Sequence, residues 1–154
     1  MMKYLFLFLS LLIISCKGST NSKYEELDLL SYGMPISIQA PAGAEVTKND
    51  YGILLDVVVK GEKYDVQIYS GNSNTLDLQK IKQEKLYEVK IDPYFSKIIE
   101  EEETGFIFEK DIDGNIRYDF RLVKVIGDKE FTFQKGLMGN FSESEVRSMY
   151  EAVK

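Results

Sequence analysis

The sequence predicts an α+β domain: a large, mostly antiparallel sheet with two main helices packed on it. Three observations carry this expectation. Stretches that alternate apolar and polar residues recur between residues 36 and 137, which is the period of half-buried strands. Short turn signals stand between them, Gly61-Glu62-Lys63, Thr104-Gly105, Asp113-Gly114-Asn115 and Gly127-Asp128, and strands joined by turns this short run antiparallel. Two other stretches, one reaching Lys90 and one reaching Val153, repeat apolar residues every three to four positions, as helices lying on a sheet do.

Taken in order, Tyr24 to Tyr32 reads as a short helical turn. Ile36, Ile38 and Ala40 alternate with Ser37 and Gln39 and stop at Pro41, a half-buried strand. Ile53, Leu55, Val57 and Val59 lie on one face of the next segment and Leu54 and Val58 on the other, so a central strand covered on both sides is expected. Gly61-Glu62-Lys63 turns it into Tyr64 to Ser70, where Tyr64, Val66 and Ile68 alternate with Asp65 and Gln67, closing a hairpin. Asn74 or Thr75 can cap a helix running to about Lys90. Leu78, Ile81, Leu86 and Val89 form its apolar stripe, with Lys80, Lys82, Gln83 and Glu84 left for solvent. A four-stranded meander is expected from Phe95 to Leu137, with Phe106, Phe108, Tyr118, Phe120, Leu122, Lys124, Phe131 and Phe133 placed by their period of two in a common layer. Ser142 and Glu145 then form a capping box, flanked by Phe141 and Val146 at the staple positions. The helix that starts at Glu143 turns Val146, Met149, Tyr150 and Val153 inward and Glu143, Arg147 and Glu151 outward.

A chain of 154 residues with 44% hydrophobic content fits one domain with a sizeable core. A formal charge of −6 and a pI near 4.8 give no sign of the concentrated basic surface that nucleic acid requires, so nucleic acid is not an expected partner. Histidine is absent, which removes the commonest general base and the commonest metal ligand. The single cysteine, Cys16, cannot close an intramolecular disulfide.

Cys16 stands at the end of an apolar run, Leu5 to Ile14, preceded by Lys3. A charged start, an apolar middle and a small-residue end make a signal peptide. Crossing the hydrocarbon takes about 20 apolar residues, and Lys17, Gly18, Ser19, Thr20 and Asn21 end the run well short of that. The residues Ile13-Ile14-Ser15-Cys16 resemble the bacterial lipobox. The resemblance implies cleavage before Cys16, a thioether-linked diacylglycerol on its sulfur and a palmitate-type acyl chain on its amino group, so that the partner of this end is a lipid bilayer. An ordinary secretory signal with an incidental cysteine, or a buried free thiol, are the alternatives. Lipoproteins with aspartate after the cysteine are retained in the inner membrane of enteric bacteria, whereas Lys17 stands there in this chain and implies the outer membrane of the cell envelope. Residues 17–23, KGSTNSK, contain no apolar side chain and are expected to act as a flexible tether. The expected organisation is therefore a signal peptide over 1–15, a lipidated tether over 16–23 and one α+β domain over 24–154.

The order from GMPISIQAPAGAEV, through the hairpin ILLDVVVKGEKYDVQIYS and a middle helix, to a meander and a final helix resembles the PsbP-like family and the small bacterial lipoproteins that share its fold. The resemblance covers about residues 33–154. It implies a sheet sandwiched by helices and used for docking to partners, with no shared active site.

Two clusters carry candidate chemistry. Asp111, Asp113 and Asn115 place oxygen side chains at alternate positions, the start of a calcium-loop spacing, but Ile116 stands where the loop glycine belongs and Leu122 where the bidentate glutamate belongs. A polar hairpin turn accounts for the same residues, and no metal or other cofactor is expected. Glu100 to Glu103 put four carboxylates in a row. Edge protection or solvation accounts for them; a cation site or an acid–base pair is the sharper alternative.

Two functions follow from these observations. One is a noncatalytic, membrane-anchored envelope lipoprotein that binds an envelope protein or other component through a sheet face or through the loops around Gly71 to Thr75 and Gly139. The other is an envelope hydrolase that works without histidine through an Asp/Glu pair. Two carboxylates facing each other in a pocket would favour the enzyme.

Overall fold

The structure, a computed structural model, describes residues 24–154. The signal peptide, Cys16 and the tether lie outside the described residues. Nine strands and two helices follow one another: β1 (Tyr24–Asp28), β2 (Ser37–Pro41), β3 (Glu45–Asp50), β4 (Leu54–Gly61), β5 (Tyr64–Asn72), α1 (Leu78–Lys90), β6 (Phe95–Glu101), β7 (Gly105–Ile112), β8 (Asn115–Ile126), β9 (Lys129–Lys135) and α2 (Glu143–Val153). β3 to β9 form one seven-stranded sheet in the order β3-β4-β5-β9-β8-β7-β6, and every neighbouring pair is antiparallel. β1 and β2 pair separately.

The hairpin β4–β5, the meander β6 to β9 and both helices appear where the sequence places them. Ser142 and Glu145 form the full capping box, each side chain bonding the other's backbone N–H. At α1 the cap is Asp77, whose carboxylate accepts from the Lys80 amide at 3.1 Å. Thr75 lies one turn further out and accepts from the Asp77 amide instead.

Four expectations are corrected. Tyr24–Asp28 is a strand, held against β2 from Tyr24↔Pro41 to Asp28↔Ser37; only a 3-10 turn at Leu30–Tyr32 is helical. Here a tertiary partner decides what local propensity does not. β3 was not anticipated, because an edge strand reading EVTKND turns only Val46 toward the core and so lacks the alternating apolar signal. β4 is second from the edge rather than central, and Leu54 on its second face is partly exposed.

The fourth correction concerns the aromatic residues, which divide between two layers. Phe120, Leu122, Phe131 and Phe133 join Val57, Val59, Val66 and Ile68 under α2 and the β1–β2 hairpin. Phe106 and Phe108 lie on the opposite face, under Leu86 and Val89 of α1. The register explains the division: Phe106 pairs with Arg121 and Phe108 with Asp119, while Ile107 pairs with Phe120, and residues directly opposite share a face.

Candidate functional site

The two helices cover the sheet unequally. α2 lies across the middle of one face, and the β1–β2 hairpin extends that cover. On the other face α1 rests on the β6–β7–β8 side only. Beyond α1 the same face, made by β8, β9, β5 and β4, floors a cleft of about 810 Å³.

The floor is polar for a reason visible in the register. On the face turned away from the core-facing valines and isoleucines, β4 and β5 carry Asp56, Val58, Gln67 and Tyr69 and β9 carries Thr132 and Gln134; of these Tyr69, Thr132 and Gln134 line the cleft. Asp56 and Gln67 are buried, so each needs partners. Gln67 Nε2 donates to Asp56 Oδ1 at 3.0 Å, Asn49 Nδ2 to Asp56 Oδ2 at 3.5 Å, and Gln134 Nε2 to Gln67 Oε1 at 3.2 Å. A chain of amides and one carboxylate therefore crosses four adjacent strands, β3, β4, β5 and β9. Burial raises the Tyr69 phenol above its usual range, and the Asp56 carboxylate opposite adds to that, so the hydroxyl stays a neutral donor at physiological pH.

Charged groups form the wall. Lys85 of α1 lies 3.6 Å from both Glu88 and Glu130, and Thr132 Oγ1 donates to Glu130 at 3.2 Å. Arg121 enters from β8, with its guanidinium over the Phe108 ring and bonded to Asp119 at 3.1 Å and to the Phe120 carbonyl at 2.7 Å. An apolar rim completes the mouth: Ile53 is 92% exposed, and Leu54 stands beside it. The cleft thus offers hydrogen-bond donors and acceptors of both kinds beside a small apolar edge, the composition that orients a polar ligand. Its two lining carboxylates, Glu88 and Glu130, share one lysine.

A smaller notch of about 420 Å³ opens where β9 leaves the sheet at Lys135. β8 runs on past this point, and Asp119 closes the gap by accepting from the Phe120 and Lys135 amides at 2.8 and 3.1 Å. Arg121 and Gln134 line both the notch and the cleft.

The loops singled out in the sequence fall on these openings: Gly71 and Asn72 line the cleft, and Gly139 lines the notch. Asp111, Asp113 and Asn115 belong to the β7–β8 turn. There Asp111 Oδ1 accepts from the Gly114 amide at 2.7 Å and Asn115 Nδ2 donates to the Ile112 carbonyl at 3.2 Å, while Asp113 and Gly114 both have positive φ. Those bonds are internal to the turn. Among the described residues no group of three or more acidic side chains is placed to hold a metal ion.

The glutamate run has a different role. Glu100 and Glu102 face α2, where Glu100 pairs with Arg147 and Glu102 accepts from Lys154 at 2.8 Å and from Tyr150 at 3.0 Å. Glu101 faces α1 and pairs with Lys82 at 3.0 Å. Lys82, expected in solvent, is 5% exposed and also donates to the Glu102 carbonyl at 2.9 Å. The run clasps both helices to the sheet edge.

Sequence reasoning did not identify Tyr69, Lys85, Arg121, Thr132 or Gln134 as cleft residues, because polar residues alternating along a strand look the same whether water or a half-covering helix faces them. A signal was present in Asp56, a lone carboxylate within a run of leucines and valines. Compared with family models, with characterised proteins and with solved structures, the chain has no significant match. The architecture therefore stands on its own: α+β, with a large antiparallel seven-stranded sheet and a helix on each face. No helix among the described residues is long and apolar enough to cross a membrane.

Proposed function

We propose that this protein is a bacterial envelope lipoprotein, held at the outer membrane through acylated Cys16, whose globular part is a noncatalytic binding module of PsbP-like architecture. Its ligand occupies the cleft between α1 and the uncovered half of the sheet. The observation that carries this reading is the unequal cover of the sheet: where α1 stops, Tyr69, Thr132, Gln134 and Arg121 line an open cleft, and Gln134 is tied through buried Gln67 and Asp56 to Asn49 across four strands. A face meant only for solvent needs no such floor, and one meant only for packing would be apolar.

A binding role is preferred to hydrolysis because the two carboxylates lining the cleft, Glu88 and Glu130, both pair with the same lysine, Lys85, at 3.6 Å. The lipid anchor supports the same reading, since it fixes the module at a surface where its partner is an envelope component. The tests use Gly71. A Cβ added at this cleft-lining position would meet only the Ile53 carbonyl at 3.5 Å and Leu54 Cδ1 at 3.8 Å, ordinary contact distances, so Gly71→Phe is the variant chosen to obstruct the cleft. Fractions of the producing cell's envelope are screened for one that raises the melting temperature. A fraction that stabilises the wild type and not Gly71→Phe supports the cleft; equal stabilisation of both contradicts it.

A further inference from the structure

The end of the domain where the described chain begins differs from the rest of the surface. Tyr24 packs edge-on against Tyr64 with ring centroids 5.5 Å apart. Next to Tyr64, the Asp65 carbonyl accepts from the Gly136 amide at 2.7 Å. The loop between β9 and α2 is thereby fixed beside the point where residues 1–23 join the domain. At the tip of that loop Leu137 is 80% exposed and Met138 68%. The base of the loop is pinned: Lys135 Nζ donates to the Gly136 carbonyl at 2.5 Å and sits 5.7 Å from the centre of the Phe141 ring. The two apolar side chains are held outward instead of folding back.

Behind them lies the notch, and its charge is one-sided in an acidic protein. Lys110, Arg117, Arg121 and Lys135 line it against the single carboxylate of Asp119. Arg117 and Lys110 stand directly opposite each other on β8 and β7, where like charges repel. Asp92 pairs with Lys110 at 2.5 Å, whereas Arg117 has no ion pair among the described residues. Two projecting apolar residues with cations behind them match the boundary of a bilayer, where acyl chains lie beneath anionic headgroups.

We propose that this end of the domain docks on an anionic lipid bilayer, with Leu137 and Met138 entering the headgroup boundary and Arg117, Lys110 and Lys135 facing lipid phosphates. The proposal rests on the reading of Cys16 as the acylation site. From Cys16 to Tyr24 the chain reaches at most about 28 Å, so an acylated Cys16 keeps this end, rather than the far end of β5, next to the membrane. Docking here leaves the cleft mouth clear, because Gly71 and Asn72 close the opposite end of β5 from Tyr64.

The test uses the full chain isolated with its lipids and reconstituted into phosphatidylcholine vesicles with or without phosphatidylglycerol. A fluorophore is placed on the thiol of Met138→Cys, or, as the control at the other end, of Asn74→Cys. The expected result is a blue shift and quenching by spin-labelled lipid at 138 and not at 74. The effect should be greater with phosphatidylglycerol and lost in Arg117→Glu. Protein that floats with the vesicles while the label at 138 stays as unquenched as that at 74 overturns docking and leaves the anchor standing. A label at 138 shielded from aqueous iodide but unreached by lipid quenchers marks a second copy or a protein partner, and also overturns it. Wild-type chain that does not float, just as Cys16→Ser does not, overturns anchor and docking together.

Discussion

Tyr150 donates its phenol hydroxyl to Glu102 at 3.0 Å, and this bond joins the most buried part of α2 to the edge of the sheet. The ring of Tyr150 is fully buried and meets Phe120 edge-on at 5.7 Å, so the hydroxyl reaches the carboxylate from inside the core. Hydrogen bonds from Lys154 and then Tyr150 hold the Glu102 carboxyl below its ordinary range.

Removing that hydroxyl should therefore have a pH-dependent effect. A carboxylate with a depressed folded pKa contributes stability that is present above its unfolded value of 4.5 and is lost as pH falls through the folded value. Tyr150→Phe should lower stability by about 1 kcal/mol near neutral pH, with the difference shrinking in acid. Urea midpoints across the acid range check this; a difference independent of pH would mean that the bond to Glu102 is not its source.

Lys82 is the corresponding tie from α1. Lys82→Met keeps the aliphatic stem but removes the donors to Glu101 and to the Glu102 carbonyl, at a cost of about 2 kcal/mol. Amide exchange should quicken at the Glu101 end of β6, in the Glu102–Glu103 turn that follows and in the first turns of α1, with α2 unaffected. Uniform quickening through the whole chain would contradict a local clasp.

Asp65 works in the opposite direction. Its Oδ1 is buried without a hydrogen-bond partner among the described residues, and burial raises its pKa despite Lys60 and Lys135 nearby. The folded state therefore holds this proton to higher pH than the unfolded chain does, and stability falls as pH rises above 3.8 through the folded value. Asp65→Asn should be more stable than the wild type near neutral pH and equal to it below about pH 3. A less stable variant at neutral pH would show that the carboxylate has a partner after all. Gly136 is fixed by the same group, since a Cβ there would lie 1.8 Å from Asp65 Oδ1.

Calcium should leave the protein unchanged. The carboxylate of Asp111 and the amide of Asn115 are used within the β7–β8 turn, so millimolar calcium or chelator should not move the melting temperature. A rise with calcium that disappears in Asp113→Ala would overturn the turn assignment.

The parts of the fold legible in the sequence were those where local chemistry and tertiary role agree. The capping box at Ser142 and Glu145, the Asp113-Gly114 turn and the alternation of Tyr64, Val66 and Ile68 each act within a few residues and read directly. β1 and β3 did not, because their strand character comes from partners, β2 and β4, that supply the pairing. The division of the phenylalanines needed the cross-strand register, in which Ile107 rather than Phe106 or Phe108 faces Phe120. The cleft was hidden for a related reason: Tyr69 and Gln134 are ordinary outward residues until α1 is seen to stop short of them.

The lipid anchor is the claim on which location, partner class and membrane docking all depend, and one measurement addresses it directly. The protein is extracted from the membranes of bacteria that produce it, and its N-terminal peptide is weighed by mass spectrometry. The expected chain starts at Cys16 with a diacylglycerol on the sulfur and an acyl chain on the amino group. A peptide that retains residues before Cys16, or that begins there or later with a free thiol or none and no lipid, would contradict it.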